Sequence, residues 1–410
     1  MRIAFVDLMF AWPPQGGAQA NLFHTIEGLQ KAGCETHLFA PVYGDLWRQT
    51  GFDQQALPFP SAPIRMDWMR ATPSRIRRVF RQAVDAWEPD VVFIGFGRYL
   101  KPYLIQALAH YPVVSRYFMY EHLCILDGCL YKDYRTCQND FLHTPNVCRQ
   151  CAEAGWSGRL KMPNLPPHAY DFTAAKTLHP SYHSVFVDSL GKCKGVVVNN
   201  EMARQRCLDH CSHVCVIPSG VNVSEYSPEP LPDAPSRNRK VILMTGRAYH
   251  PLKGVDVLVD AGHGLAQFRS DFEVWVTDDE DPVRQPWFKA RGWRDPEATR
   301  RLYQEADIVV VPSVWEEPFG RVAVEGMAAC RPVVASRTGG LQHIVRHGET
   351  GYLFEPGSSA ELALYLERML DDPASCRRMG LQGREVAAVE YDWEAIIQDH
   401  YIPLLEHAVS

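Results

Sequence analysis

Two glutamates eight residues apart, Glu317 and Glu325, carry the most informative chemistry in the sequence. Pro318 follows Glu317 directly, and proline is tolerated in the first turn of a helix, so the pattern predicts a helix over residues 318–329. Eight helical residues place both carboxylates on roughly one face, about 12 Å apart along the axis. That spacing is too long for an acid and a base acting on one bond. The two glutamates could instead contact the two ends of an extended ligand. The alternative is that Glu317 is only a charge at the start of the helix and Glu325 is a solvated side chain.

Two glycine pairs stand where a strand is expected to pass into a helix. Gly339 and Gly340 follow a predicted strand at residues 332–336 and precede a helix that begins near Leu341. Glycines in this position let a ligand approach the backbone, and the helix amides can bind a phosphate. Gly16-Gly17, near the amino terminus, also stands between a predicted strand and a predicted helix. Tight turns that need glycine for packing alone are the alternative.

Two cations follow the first strand of the carboxyl-terminal half. Strand 240–245 leads into Gly246-Arg247, and Lys253-Gly254 comes six residues later. Arginine and lysine at the end of a strand can hold a diphosphate without a metal ion. The alternative is a pair of solvated loop cations.

The elements that would position these residues predict an α/β protein of two Rossmann-like domains facing across a cleft. Strands are expected at residues 3–7, 36–39, 91–95, from 113, 195–199, 240–245, 273–277, 308–312, 332–336 and 351–354. Helices are expected at residues 18–32, 74–87, 255–268, 318–329 and 360–370. Ligands of parallel sheets bind at the carboxyl ends of the strands, so the cleft is the expected site.

Composition shifts predict the domain limits. An amino-terminal domain at residues 1–226 contains a cysteine-rich insertion at about 123–165, and a proline-rich linker covers 227–236. A second domain follows at 237–390, and a helix at 391–410 is expected to pack back on the first domain.

The overall composition narrows the class of protein. The 410 residues are 46% hydrophobic with a net charge of −6, which argues against disorder and against nucleic-acid binding. The sequence has no apolar run near the roughly 18 residues of a membrane span, and its start is typical of a strand rather than of a signal peptide. We therefore expect a cytoplasmic protein.

Five cysteines lie within one short segment, at positions 124, 129, 137, 148 and 151. Cys129, Cys137, Cys148 and Cys151 are a possible structural zinc site, since four thiolates suit tetrahedral zinc. Free or buried thiols and disulfides remain alternatives. A second group, Cys207, Cys211 and Cys215 with His210 and His213, is interpreted as buried thiols.

Taken together, four motifs resemble the family 4 retaining glycosyltransferases with the GT-B fold. They are GR with KG at residues 246–254, EPFG with Glu325, PVVAS with Gly339-Gly340, and HGETG at residues 347–351. The resemblance covers the second domain and, more loosely, the first through Gly16-Gly17 and IPSGV at residues 217–221.

The resemblance implies roles for the matching residues. Arg247 and Lys253 would bind the diphosphate and stabilise the leaving nucleotide. Glu317 would contact sugar hydroxyls near the reacting carbon, and Glu325 would hydrogen-bond the ribose.

Further roles follow from the same resemblance. The amides of Gly339, Gly340, Leu341 and Gln342 would cradle sugar and phosphate. Gly17, next to Gly16, would approach the phosphates from the other domain, and His122 would lie near the transferred sugar.

The implied activity is transfer of a hexose-type sugar from a UDP- or GDP-sugar to an unidentified glycan, glycolipid or small metabolite. No cofactor would be required for catalysis. A sugar-nucleotide epimerase or hydrolase of the same fold and a noncatalytic nucleotide-sugar-binding protein are the alternatives. A dinucleotide dehydrogenase is disfavoured because no G-x-G-x-x-G follows the first strand.

Two further features concern the base and the acceptor. TDDEDP at residues 277–282 replaces the glycine-rich turn usual in relatives, which leaves the nucleotide base open, and Cys330 stands where glycine is common. Arg75, Arg77, Arg78 and Arg81 form a basic helix that would contact anionic lipid or a phosphorylated acceptor at the inner membrane face. A solvated helix face is the alternative.

Overall fold

A computed structural model describes residues 1–14, 16–43, 52–66, 72–133, 135–160, 175–227, 229 and 239–410. Contacts divide the chain into two units. The first contains residues 1–130, 137–218 and 393–410, and the second contains 131–136 and 219–392. No helix in these described ranges combines the length and the apolar character needed to cross a membrane.

The first unit is built on a parallel sheet of seven strands in the order β3-β2-β1-β4-β5-β8-β9. Its strands are β1 (Arg2–Val6), β2 (Glu35–Tyr43), β3 (Ser61–Met66), β4 (Val91–Ile94), β5 (Val113–Arg116), β8 (Gly195–Val198) and β9 (Val214–Val216). The inner strands are short runs of Val, Ile and Phe that are buried on both faces, as helix-covered parallel strands require.

Helices and the carboxyl-terminal segment complete this unit. The helices are Gly17–Lys31, Pro73–Asp85, Lys101–Leu108, Pro145–Leu160, Tyr182–Gly191, Glu201–Cys207, Trp393–Ile396 and Ile402–Val409, the last two joined by a π-helix at Ile397–Tyr401. Trp393, Tyr401 and Leu405 share a core with Phe5 and Phe93. The buried guanidinium of Arg116 also donates to the Tyr401 hydroxyl at 2.5 Å.

The second unit has a parallel sheet of six strands in the order β12-β11-β10-β13-β14-β15. They are β10 (Lys240–Met244), β11 (Phe272–Val276), β12 (Phe288–Ala290), β13 (Ile308–Val311), β14 (Val333–Ser336) and β15 (Gly351–Phe354). The helices are Val255–Leu265, Pro296–Glu305, Arg321–Ala328, Leu341–Ile344, Ser359–Asp371 and Pro373–Glu390. Side chains of Asp295, Ser358 and Asp372 cap three of them.

The two units differ from the predicted domains at two points. The division falls at Pro218 rather than after residue 226, because Val221, Val223 and Tyr226 pack in the second core. The hairpin of β6 (Tyr131–Lys132) and β7 (Arg135–Thr136), predicted as part of an insertion in the first domain, groups with the second unit. Most of the predicted linker at 227–236, and residues 161–165 of the insertion, lie outside the described residues.

The predicted strands are confirmed to within one residue at each limit, except that β2 continues to Tyr43. The sequence interpretation missed β3, β9 and β12. All three are edge strands, which need no continuous apolar run because one side faces solvent or loops.

Candidate functional site

The candidate residues of the second unit lie beyond the carboxyl ends of three neighbouring strands. Strands β10, β13 and β14 are adjacent in the sheet, and all are parallel. Residues 245–247, 312–317 and 337–340 follow them and therefore come together at one edge, where ligands of such sheets bind.

Glu317 is the anchor of this edge. Its Oε2 accepts hydrogen bonds from Lys253 Nζ at 2.8 Å, Ser313 Oγ at 2.9 Å and Trp315 Nε1 at 3.1 Å. The side chain is 12% exposed, and within the described part of the chain Oε1 has no hydrogen-bond partner. One carboxylate oxygen thus fixes the side chain while the other stays available to a ligand hydroxyl.

The backbone around Glu317 is held by the turn that follows β14. The Gly340 amide donates to the Glu317 carbonyl at 2.7 Å, and the Thr338 hydroxyl donates to the Trp315 carbonyl at 3.1 Å. A Cβ at Gly339 would lie 2.1 Å from the Glu317 carbonyl oxygen, and one at Gly340 would lie 2.3 Å from that of Phe319. The glycine pair is therefore required for packing, the alternative left open above.

The predicted amide cradle at residues 339–342 is only partly available. Besides Gly340, the Leu341 amide is engaged, since it donates to the Thr338 carbonyl at 3.1 Å, and the Leu341 side chain is buried. In the described chain, the amides of Gly339 and Gln342 have no such acceptor. The helix that follows, Leu341–Ile344, is a single turn.

The prediction that Pro318 opens the helix, with Glu317 directly before it, is wrong. The helix begins at Arg321, because Gly320 adopts the left-handed region with φ of 109°, which breaks the helical path from Pro318. Glu317 lies in the preceding loop, so the axial spacing of 12 Å does not describe the pair. The assignment of separate roles to the two glutamates no longer rests on that spacing.

Glu325 is held by two side chains. Its Oε2 accepts from the Tyr303 hydroxyl at 2.8 Å, and its Oε1 forms an ion pair with Arg321 Nε at 2.8 Å. Thr245, at the end of β10, contacts the Tyr303 hydroxyl at 2.7 Å. Sequence reasoning missed Tyr303 because its only signal is an aromatic residue on the inner face of an ordinary helix.

The two cations occupy different settings. Arg247 is exposed, and across the described residues its guanidinium has neither an ion pair nor a hydrogen bond. Lys253 pairs with Glu317. The next residue must be glycine, because Gly254 has a φ of 73° and a Cβ added to it would lie 2.0 Å from the Pro312 carbonyl oxygen. Both cations lie within the loop that joins β10 to the helix Val255–Leu265.

In the first unit, Gly16 and Gly17 begin the helix Gly17–Lys31, after the loop that follows β1. A Cβ added to either would meet nothing within 4 Å among the described residues, and neither has a positive φ. Packing against the described residues therefore does not require these glycines, in contrast to Gly339 and Gly340.

His122 is fully buried in a turn after β5. Its ring packs on Tyr117 with centroids 4.6 Å apart, and neither ring nitrogen finds a partner among the residues described. Burial, with smaller contributions from the charges of Lys101 and Arg206, lowers the pKa of His122 to about 3. The imidazole is consequently neutral at physiological pH.

A group of buried charges surrounds this turn, and sequence reasoning missed it. Burial raises the pKa of Asp7 to about 7 and lowers the pKa of Lys101 to about 8. Lys101 Nζ lies 3.9 Å from Glu121 Oε1 and 3.7 Å from the Tyr117 ring centroid. Lys101 opens an apparently ordinary helix, so nothing in the sequence marks it as buried.

The cysteines do not form a preformed metal centre. Throughout the described ranges, no group of three or more cysteine, histidine, aspartate or glutamate side chains is placed to hold a metal ion. None of the twelve cysteines, all within the described ranges, forms a disulfide. Cys207 and Cys211 are buried, as the interpretation of the second group expects, whereas Cys215 is only half-buried.

We predict that Gly339→Ala destabilises the protein by several kcal/mol, because its Cβ would overlap the Glu317 backbone. Gly348→Ala is the matched control, since Gly348 also has a positive φ, 83°, but open space around it among the described residues. It should cost only about 1 kcal/mol of backbone strain. Urea unfolding measures both values, and equal losses would show that the close approach is unimportant.

The lowered pKa of His122 predicts that this residue accounts for part of the stability that the protein loses at low pH. Because its pKa falls from 6.5 to about 3 on folding, its contribution to stability is complete above pH 6.5 and is lost as the pH falls toward 3. At about pH 4.5 the loss should reach roughly 2–3 kcal/mol. His122→Leu should remove this component from the difference between pH 7 and pH 4.5 unfolding free energies.

Asp7, whose pKa is raised on folding, changes the free energy of unfolding with pH in the opposite direction over part of this range. The contribution of His122 is therefore measured as a difference between variants. His400→Gln, at an exposed histidine, is the control and should retain the wild-type slope. An unchanged slope in His122→Leu would contradict the assignment of a strongly lowered pKa.

Comparison with known proteins bears on both units. Residues 239–372 match the family model described as Glycosyl transferases group 1. Phosphatidyl-myo-inositol mannosyltransferase of Mycobacterium leprae is 32% identical over 214 residues, covering 50% of this chain and 57% of that protein. D-inositol 3-phosphate glycosyltransferase of an Arthrobacter species is 31% identical over 213 residues, covering 44% and 47%. The chain thus spans about half the length of these curated relatives.

Solved structures with the same fold cover the whole chain. Sucrose-phosphate synthase from Thermosynechococcus elongatus matches all of both chains with a TM-score of 0.67 and 22% identity. Anabaena HepE in complex with UDP matches 99% of this chain and 100% of its own, with a TM-score of 0.67 and 19% identity. The match to the group 1 glycosyl transferases is thus confined to residues 239–372 of the second unit, and the chain as a whole shares the fold of these solved structures.

Proposed function

We propose that this protein is a retaining glycosyltransferase that moves a hexose-type sugar from a UDP- or GDP-sugar to a hydroxyl of its acceptor. The observation that carries the proposal is the joint placement of Lys253 and Glu317, with one carboxylate oxygen anchored and one available. Relatives named as mannosyltransferases and a fold neighbour bound to UDP-glucose support the substrate class.

In the proposed step, the bond between the anomeric carbon and the diphosphate oxygen breaks, and negative charge develops on the diphosphate. Arg247, which has no partner in the described chain, and Lys253 supply positive charge to that leaving group. Fixed cations aimed at developing charge are a large source of catalysis, and they remove the need for a metal ion. The Gly339 and Gln342 amides would add to this stabilisation.

Glu317 would orient the sugar rather than act as the base. Oε2 is already shared by three donors, whereas Oε1 can accept from a sugar hydroxyl. The acceptor proton would then pass to the leaving diphosphate, and attack on the same face would retain the anomeric configuration. Glu325 would hydrogen-bond the ribose of the donor.

The first unit would supply the remaining contacts. Neutral His122, whose two ring nitrogens have no partner among the described residues, would lie near the transferred sugar. Gly16 and Gly17 leave room for phosphate to approach their backbone.

For the acceptor we propose a sugar-containing or lipid-linked molecule. Arg78 and Arg81 are exposed on the helix Pro73–Asp85, where Arg81 Nε also pairs with Asp85 Oδ2 at 3.4 Å. Arg77 is engaged by Gln106 at 2.6 Å and by the Tyr103 ring. The exposed pair suits anionic headgroups, so peripheral contact of a cytoplasmic protein with the inner membrane face is part of the proposal.

A donor panel tests the assignment. UDP-, GDP- and ADP-sugars are compared by thermal shift, and a ligand at one hundred times its dissociation constant should add about 2.7 kcal/mol of stability. Lys253→Ala should weaken binding at least about tenfold, since a charged hydrogen bond is lost, and should abolish transfer, as should Glu317→Ala. Lys240→Ala is the matched control, because Lys240 pairs with Asp307 at 3.5 Å at the opposite end of β10.

Retained transfer in Lys253→Ala, or equal losses in the control, would contradict the proposal. Failure of every nucleotide sugar to shift the melting temperature would do the same.

We also propose that Cys129, Cys137, Cys148 and Cys151 bind one structural zinc ion, which would have to draw the four thiols together because they form no metal-ligating group in the described structure. Their clustering in one segment supports this, and so does the CxxC pair on the helix Pro145–Leu160. Metal analysis of the purified protein should find about one zinc per chain, and chelation should lower the melting temperature. A metal-free protein with the same melting temperature would exclude the site.

A further inference from the structure

A chain of hydrogen bonds runs from Thr245, which follows β10, to Glu325 through the buried side chain of Tyr303. Tyr303 lies on the helix Pro296–Glu305 and is fully buried in the second core. Its hydroxyl lies 2.8 Å from Glu325 Oε2 and 2.7 Å from Thr245 Oγ1. Because Tyr303 is covered by protein, it acts on a ligand only through these two neighbours.

The direction of the chain follows from the proton inventory. A phenol has one proton and a carboxylate oxygen only accepts, so Tyr303 donates to Glu325. The Thr245 hydroxyl then donates to the Tyr303 oxygen. Burial keeps the pKa of Tyr303 well above its usual value, so the phenol remains a donor.

One hydrogen bond and one ion pair hold the Glu325 carboxylate and leave it able to accept further hydrogen bonds. Arg321 pairs with Oε1 while Tyr303 binds Oε2, so rotation of the carboxylate would break one of the two contacts. Each carboxylate oxygen can accept a second hydrogen bond. The side chain is 14% exposed, which leaves it open to a ligand from one side.

We propose that Tyr303 is a positioning residue for nucleotide recognition. Together with Thr245 it orients Glu325 to accept hydrogen bonds from the adjacent 2′- and 3′-hydroxyls of the donor ribose. Thr245 directly precedes Gly246-Arg247, so the same hydrogen-bond chain links ribose binding to the loop whose Arg247 would bind the diphosphate. The proposal rests on the proposed function, in which Glu325 contacts the ribose.

The test compares ribonucleotides with deoxyribonucleotides on the full chain. Dissociation constants are measured by calorimetry for UDP, GDP and ADP and for their 2′-deoxy and 3′-deoxy forms. The wild type should bind its preferred ribonucleotide about tenfold more tightly than either deoxy form, the value of one hydrogen bond to a charged group. Glu325→Gln should reduce that ratio to near one.

Tyr303→Phe carries the decisive comparison. It should lower the ratio to about threefold or less by weakening ribonucleotide binding, while binding of the deoxy forms stays within about twofold of wild type. A merely structural role would weaken both classes equally. Tyr226→Phe is the matched control, because Tyr226 is a buried tyrosine 6.1 Å from the Tyr303 ring that makes no hydrogen bond to Glu325 in the described chain. It should keep the wild-type ratio.

The outcomes distinguish failure of the positioning role of Tyr303 from failure of the proposed nucleotide binding. A wild-type ratio in Tyr303→Phe, with a lost ratio in Glu325→Gln, would overturn the positioning role and leave the ribose contact standing. A wild type that does not distinguish the sugars would overturn the role of Glu325, and no nucleotide binding at all would overturn the proposed function. Should Tyr303→Phe fail to fold, Thr245→Val should lower the ratio in the same direction, because the phenol then loses its fixed donor.

Discussion

One carboxylate oxygen, Oε2 of Glu317, organises the candidate site of the second unit. Three donors converge on it from Lys253, Ser313 and Trp315, so the loops after β10 and β13 are tied at a single atom. The turn after β14 then closes on the same loop through its Gly340 amide. The site is thus preorganised by contacts within the chain, which lowers the entropy lost when a ligand binds.

The same constraint explains which residues must be glycine. Gly254, Gly339 and Gly340 each face a backbone carbonyl closer than any side chain allows. Their role is to bring three loops to one sheet edge, and any ligand contact comes in addition. Among the described residues nothing lies within 4 Å of a Cβ added to Gly16 or Gly17, so the close approach that explains the second glycine pair does not explain the first.

Buried charge plays a comparable part in the first unit. Arg116, Lys101 and Glu121 are all buried near the ends of inner strands, where isolated charges would be costly. Arg116 donates through Nη1 to Tyr401 and through Nη2 to Asn199 and the Ile217 carbonyl, and the bond to Tyr401 ties the carboxyl-terminal segment to the sheet. The neighbouring His122 avoids the cost by remaining neutral, as its lowered pKa requires.

The sequence was sufficient to predict the inner strands and the loops that follow them, because buried parallel strands and glycine turns leave strong local patterns. It was insufficient where tertiary contacts decide. Proline suggested a helix from residue 318, but the left-handed Gly320 delays it to Arg321. Cys330, noted as a replacement for glycine, adopts a φ of 57°, which accounts for glycine being common there. The Tyr303 chain depends on residues far apart in sequence, so no local pattern reveals it.

The most direct test of the central claim is a crystal structure of the protein with UDP or GDP bound. The account predicts a diphosphate oxygen within about 3 Å of Lys253 Nζ, with Glu317 Oε2 still bonded to Ser313 and Trp315. A diphosphate bound away from the edge formed by β10, β13 and β14, or a Glu317 released from its donors, would contradict it.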